Sequence, residues 1–385
     1  MNRQGRFAVR SAVLTLLMIL VLIVSACGQA ATPQAVPSQP TEASAQPTQA
    51  SAQPTEAAAG DLTTVTMAYV PIVALGPLYL ADELGYFAKR GIKNEYTTNA
   101  NPYDLLGVQS QGKLDANIVG TSAAFFNAIN SGLKVRAVSD RMQYRCSSDN
   151  MLIVRSSLYD EGVKTPADLK GKKIAIIARG SGTEYWLSLI LSKENMKLSD
   201  VEIVTLSYPD TVNALKTGAI DAGFVAEPLT VQAIRDGTAK RIIAMHQVLP
   251  GQQLGEMIFS QEFTARDGGK WAQAWLAAWL EGVRYYLDPA NKERVIQTVS
   301  KWTRVDEGII RELYGTDQWP WMNPNGDLDT EYIAANDGKW MLENKLIEKL
   351  PPASEYYNDG PLKAAQNELG RVEVKRDCAS VPPLQ

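Results

Sequence analysis

Few residues in this chain could carry covalent chemistry. It holds a single histidine, His246, and three cysteines, Cys27, Cys146 and Cys378. A Ser-His-Asp hydrolase or a histidine-rich metal site would have to run through His246, which follows the predicted strand RIIAM with no nucleophile elbow nearby. That context reads as a structural or surface histidine. Neither a Walker-type phosphate loop nor a CxxC pair occurs, and no metal or cofactor is expected. What remains is non-covalent recognition. Gly180-Ser181-Gly182-Thr183 opens a predicted helix, where free backbone N–H groups and the Ser181 and Thr183 hydroxyls can hold an anion or a carbonyl oxygen. A plain N-cap explains the same four residues equally well.

The elements that would position such a site read as α/β. The folded part runs from about Leu62 to Val372 and is long enough for two domains. It opens with the β-branched strand TVTMAYV, a Pro/Gly loop and the helical PLYLADELGYFAKRGI. Two later segments echo each other, GKLDANIVGTSAAFFNAINSG from Gly112 and GAIDAGFVAEPLTVQAIRDG from Gly218. Each places a glycine, an aliphatic residue and Asp-Ala before a short apolar strand, a loop and a helix. A second strand–loop–helix opening, KKIAIIARGSGTEYWLSLILSKENM, heads the later copy. Two similar α/β lobes follow, with residues 62–155 plus 254–375 as lobe 1 and 156–253 as lobe 2. The helix KWAQAWLAAWLEGVRYYL sets Trp271, Trp275 and Trp279 on one face. That stripe is expected to bury against lobe 1, which makes the lobe discontinuous and gives two interlobe crossings, a hinge.

The N-terminus says where the lobes work. Arg3, Arg6 and Arg10 precede the apolar run from Ala12 to Val24, which is shorter than a bilayer span and reads as a secretory signal over residues 1–26. Residues Val24 to Cys27, VSAC, resemble a bacterial lipobox, which implies lipidation (a palmitate-bearing anchor) at Cys27. Residues 27–60 follow with QPTEASA, QPTQASA and QPTEAAA, a proline-bearing heptad with no large apolar residue. Proline and the missing seam exclude a coiled coil and leave an extended spacer. Losing the signal moves the formal charge from −4 to −7, so nothing favours nucleic acid, and the membrane is reached through the anchor only. Outside the cytoplasm Cys146 and Cys378 can pair, but the sequence does not show that they meet.

In α/β lobes ligands bind beyond the carboxyl ends of the strands, and four such loops are visible: YVPIVALG, GTSAAF, ARGSGTEYW and VAEPLT. At these residues the chain resembles solute-binding proteins of ABC importers. PLYLADELGYFAKRGI, LDANIVG, DLKGKKIAI with GSGTEYWL, and IDAGFVAEP are similar, in order, to the branch that includes nitrate, taurine and alkanesulfonate binders and thiamine-pyrimidine and riboflavin binders. The resemblance implies a two-lobed type II periplasmic-binding-protein fold with an interlobe cleft. It implies a lipid-anchored monomer on the outer face of the cell membrane, on the periplasmic side if an outer membrane is present. It also implies delivery of solute to a permease with its ATPase subunit, and no catalysis.

Carried over loop by loop, the binding positions are Tyr69 and Pro71, Ser122 and Ala123, Ser181, Gly182 and Thr183, and Glu227. Arg141, Tyr144 and Tyr208 are strand-end additions. The tyrosines can stack on a planar ring or lie on the lobe surface, and Glu227 can accept from ring nitrogens, amines or hydroxyls. The expectation is an aromatic vitamin-like heterocycle, riboflavin as the specific case. The alternative is taurine or an alkanesulfonate held by Ser122, Arg141 and Ser181. An alternative of another class is an enzyme of the thiamine-precursor-synthase type, which would need His246 and Cys146.

Overall fold

A computed structural model describes residues 62–98, 101–374, 378 and 381–382. The expected signal segment, Cys27 and the spacer lie outside the described residues. The strands are β1 (Thr63–Tyr69), β2 (Ile92–Thr98), β3 (Ala116–Val119), β4 (Val135–Asp140), β5 (Asn150–Arg155), β6 (Lys173–Ile176), β7 (Glu202–Thr205), β8 (Ala222–Ala226), β9 (Ala239–Ala244) and β10 (Glu256–Ser260). They form two five-stranded sheets, ordered β2-β1-β3-β10-β4 and β7-β6-β8-β5-β9. The sheets share one topology. In each, three parallel strands are followed by an antiparallel one, β10 against β3 and β4 in the first and β5 against β8 and β9 in the second. The α/β, two-lobed expectation holds.

The repeated Asp-Ala has a structural cause. Asp115, just before β3, accepts the backbone N–H of Thr66 in β1 at 2.9 Å and pairs with Arg266. Asp221, just before β8, accepts the N–H of Lys173 at the start of β6, also at 2.9 Å, and pairs with Arg155 at 3.4 Å. Each carboxylate thus ties the third strand of its sheet to the first, satisfying a half-buried donor where the parallel ladder begins.

One boundary is corrected. The expected division at 155/156 put NMLIVR in lobe 1, yet β5 runs antiparallel between β8 and β9 in the second sheet. The chain therefore crosses between sheets within residues 141–149, and returns within 245–255. Each sheet takes its antiparallel strand from across the hinge, so β5 precedes the rest of its sheet and β10 follows the rest of its own. Of the expected tryptophan face, Trp275 and Trp279 are buried and Trp271 is half-buried. Its helix, Lys270–Leu287, lies so close to the helix Gly76–Glu83 that a side chain at Gly282 would strike the carbonyl of Pro77.

The two crossings run antiparallel and hydrogen-bond to each other. Arg141 N–H donates to Gly255 O (3.2 Å), Leu254 to Met142 (2.8 Å), Tyr144 to Gln252 (2.8 Å) and Gly251 to Tyr144 (2.7 Å). The Gln252 amide pins this pair to the C-terminal helices, donating to both Asp337 oxygens at 3.0 Å, and Gln253 bonds to Asp140 at the end of β4. Cys146, on the first crossing, is bonded to Cys378, with Cα atoms 5.1 Å apart.

Candidate functional site

The carboxyl ends of the strands deliver their loops to a cavity of about 90 Å³ between the sheets. The first sheet contributes Val70, Ile72, Pro102, Tyr103, Ile118, Val119 and Gly120. The hinge contributes Arg141, Asp149 and Leu254, and the second sheet Asn150, Ile177, Gly182, Thr183, Trp186, Tyr208 and Ala226. Local bonds set these walls. The Tyr79 hydroxyl donates to Ile72 O (3.1 Å) and holds the first loop in place. The Tyr103 hydroxyl donates to Gly120 O (3.3 Å) and accepts from Gly120 N (3.2 Å), where a side chain at 120 would press against it.

Most of the cavity is apolar, and its polarity is concentrated at two charged groups. Arg141 is only 7 % exposed, and its Nε and Nη1 have no hydrogen-bond partner among the described residues. Asp149 is fully buried; its Oδ1 accepts from Asn150 Nδ2 at 2.5 Å, while Oδ2 has no such partner. Asn150 is in turn held by the Tyr208 hydroxyl, which donates to its Oδ1 at 3.0 Å. Burial pushes the Asp149 carboxyl up to about 6, against the opposing pull of Arg141. The indole N–H of Trp186 is another buried donor without a partner among the described residues. Gly182 and Thr183 begin the helix Gly182–Lys193, whose first-turn N–H groups lack intrahelical acceptors. Uncommitted buried donors and one uncommitted acceptor around a small cavity suit a solute that brings the missing partners.

Four of the sequence-derived positions line this cavity: Arg141, Gly182, Thr183 and Tyr208. The others are placed elsewhere, each for a local reason. Pro71 is exposed between the lining residues Val70 and Ile72. Tyr69 packs edge-on against Tyr79, Tyr96 and Trp302 inside the first lobe. Ser122 caps its own helix by accepting from Phe125 N (3.2 Å). Ser181 donates to Ala178 O (2.6 Å) and bonds to Thr183 Oγ1 (2.8 Å), so it shapes the loop rather than facing solute. Tyr144 is fully buried with its ring centroid 5.7 Å from that of Trp186.

Glu227 is fully buried, and its Oε2 accepts from Val231 N at 3.1 Å, capping the helix Leu229–Arg235. Burial lifts its carboxyl to about 8, so at neutral pH it is the uncharged acid and a poor partner for an ammonium group. The carboxyl that lines the cavity is Asp149, not Glu227. Asp149, Trp186 and Tyr103 were missed, although SSDN is a polar interruption between two apolar strands and marks the crossing. The histidine also has neighbours: Ser148 Oγ lies 3.2 Å from His246 Nδ1, and Asp317 lies 3.9 Å from Nε2. Ser148 is fully buried, and its hydroxyl already accepts from His246 N and donates to Asn150 O.

The lobes touch directly beside the cavity. Ala123 N donates to Gly180 O (2.9 Å), and Val73 N donates to Glu227 O (3.3 Å). Gly180 has φ +70, and a Cβ there would lie 2.9 Å from the Cβ of Ala123. Gly180→Ala is therefore expected to hold the lobes apart and weaken solute binding about tenfold or more. Small-angle scattering at saturating solute should show a larger particle than the wild type, and Ala123→Gly in the same background should recover part of the closure. An unchanged scattering profile would show that this contact does not set the separation of the lobes.

A family model described as the NMT1-like family matches residues 58–300. A binding protein of Brucella abortus is 24% identical over 238 residues, covering 60% of this chain and 68% of that protein. The nitrate/nitrite binding protein NrtA of a Nostoc species is 22% identical over 256 residues, 62% of this chain and 58% of that one. Among solved structures, the periplasmic nitrate-binding protein NrtA from Synechocystis superposes with a TM-score of 0.67 at 16% identity, covering 80% of this chain and 90% of that one. The periplasmic aliphatic sulphonate binding protein SsuA from Escherichia coli gives 0.61 at 19% identity, over 76% and 91%. The desulfurization enzyme DSZB gives 0.57 at 17% identity, over 80% and 99%. These likenesses show a shared two-lobed fold.

Proposed function

Because the chain belongs to the NMT1-like family, we propose that it is the extracytoplasmic solute-binding component of an ABC importer, handing a small organic oxyanion of the sulfonate class to a permease and its ATPase. The observation that carries this reading is the buried guanidinium of Arg141, with Nε and Nη1 uncommitted at the cavity wall. A sulfonate can accept from both, with the first-turn N–H groups at Gly182 and Thr183 and the Trp186 indole as further donors. Asp149 at the same cavity favours a solute with a cationic end, as in taurine, over a bare anion such as nitrate, which it would repel. The apolar remainder of the wall suits a short carbon chain.

Riboflavin, the specific expectation from the sequence, finds no support. The cavity of about 90 Å³ is well below the roughly 300 Å³ at which pockets for drug-sized ligands begin, and Tyr69 packs edge-on inside its own lobe. The anchor at Cys27 and the spacer to residue 60 remain part of the proposal, as the tether that keeps the receptor beside its permease. One structural neighbour is an enzyme, but the buried and occupied Ser148 supports binding without turnover.

The test is a thermal-shift titration of residues 61–385 against taurine, ethanesulfonate, nitrate and riboflavin. Solute at about a thousand times its dissociation constant adds roughly 4 kcal/mol of stability. Taurine is expected to give the largest shift, and its affinity should rise as pH is raised through about 6, where Asp149 ionises. Nitrate affinity falling over the same range would fit the bare-anion reading instead, and a shift with riboflavin alone would overturn the sulfonate class.

A further inference from the structure

We propose that Gly255 is a positioning residue for Arg141, so that the hinge itself sets where the solute-binding guanidinium stands. This rests on the reading of Arg141 as the group that receives the solute's anion. The two residues face each other from the two interlobe crossings, joined by the 3.2 Å bond from Arg141 N–H to Gly255 O. The Arg141 side chain folds back over its partner strand. A Cβ at 255 would lie 2.7 Å from both Nε and Nη2 and 3.0 Å from Cζ.

The guanidinium therefore rests on bare glycine backbone. Its Nε and Nη1 find no acceptor among the described residues, so hydrogen bonds at those atoms do not fix its place. Contact with residue 255, together with the pull of the neighbouring Asp149 carboxylate, does so. Any larger residue at 255 must move something, and the end of a flexible side chain yields more readily than a hydrogen-bonded backbone. Arg141 is what moves.

The same hinge offers an internal control. Gly255 has φ +79 and Gly251 has φ +88, so alanine is strained at either position. Around Gly251, however, the nearest atom a Cβ would meet is Tyr332 Cε2, at an ordinary 3.7 Å. Gly251→Ala thus carries the backbone cost without touching Arg141, whereas Gly255→Ala carries both.

Two readouts separate the positioning role from the identity of the solute. The first is a carbon-13 carboxyl titration of Asp149 in ligand-free protein, since the nearby Arg141 charge holds that group down. Gly255→Ala should raise its midpoint by about half a pH unit or more, and Gly251→Ala should leave it in place. The second is taurine affinity by calorimetry. A loss of about tenfold to a hundredfold is expected for Gly255→Ala and less than about threefold for Gly251→Ala.

A midpoint that moves only in Gly255→Ala, in a protein that does not bind taurine, would uphold the positioning and reject the taurine reading. Equal midpoints and affinities in the two glycine variants would overturn the positioning. If Gly255→Ala does not fold, the Arg141→Ala/Gly255→Ala double variant is expected to fold, because the shortened side chain no longer meets the new Cβ. Its failure to fold would place the whole cost in backbone strain and overturn the proposal as well.

Discussion

Arg141→Ala is expected to lower affinity for the solute selected by the thermal-shift panel by about a hundredfold or more, the largest single-residue effect at this site. Hydrogen bonds to a charged partner contribute about 1.5–3 kcal/mol each, and Arg141 has two buried N–H groups, on Nε and Nη1, to offer. Truncation removes both and also removes the cation that opposes the burial of Asp140, Asp149 and Glu256. Their carboxyls should then hold protons to still higher pH, which weakens the Asp149 end of the site as well. Arg141→Lys keeps the charge but loses the planar pair of donors, so an intermediate loss is expected. Calorimetry of the three proteins at pH 7 decides it. Alanine and wild type within threefold of each other would mean that Arg141 serves the hinge alone.

How much of this was legible in the sequence depends on the range of the interaction concerned. The Asp-Ala echo is local and repeated, and it marked both third strands correctly because Asp115 and Asp221 perform the same tie in each sheet. EMIFS read as a strand, and it is β10, which joins the first sheet. NMLIVR was not assignable to its sheet. It is buried on both faces, which fits a central strand of either sheet, and its partners β8 and β9 come about 70 to 90 residues later.

The site residues divide in the same way. Loops at strand ends were found, because that is where α/β folds place ligands. Side-chain direction within a loop was not, since it depends on which backbone N–H each oxygen captures. Ser122, Ser181 and Glu227 all turned to cap or shape their own loops. Asp149 and Trp186 face the cavity through the crossing and the helix interior, where no motif points to them.

Stability is expected to fall by several kcal/mol as pH is raised from about 4 to about 8, opposite to the behaviour of a protein whose carboxylates are salt-bridged. Burial lifts Glu256 and Glu227 to about 8, Asp337 to about 7 and Asp149 to about 6, and it lifts Asp140 well above the ordinary carboxyl range. Below about pH 4 these groups are protonated both folded and unfolded and contribute no pH dependence. Above it the unfolded chain gives up protons that the folded protein keeps, so unfolding is favoured progressively until pH passes each folded value. Each retained proton gives a slope of about −1.4 kcal/mol per pH unit.

Glu256 is the informative group to remove. Its Oε1 bonds to the Thr121 hydroxyl, while its Oε2 has no partner among the described residues. Glu256→Gln keeps the shape without the titration, and urea unfolding from pH 5 to pH 8 should show a slope shallower by close to one proton. An unchanged slope would place the Glu256 proton elsewhere. The same substitution bears on binding. In the wild type, ionisation of Glu256 near pH 8 sets a negative charge beside Arg141 and competes with the solute's anion, so affinity should decline above that pH. In Glu256→Gln the decline should be lost, which ties the hinge strand that supplies Glu256 to the solute as well as to the fold.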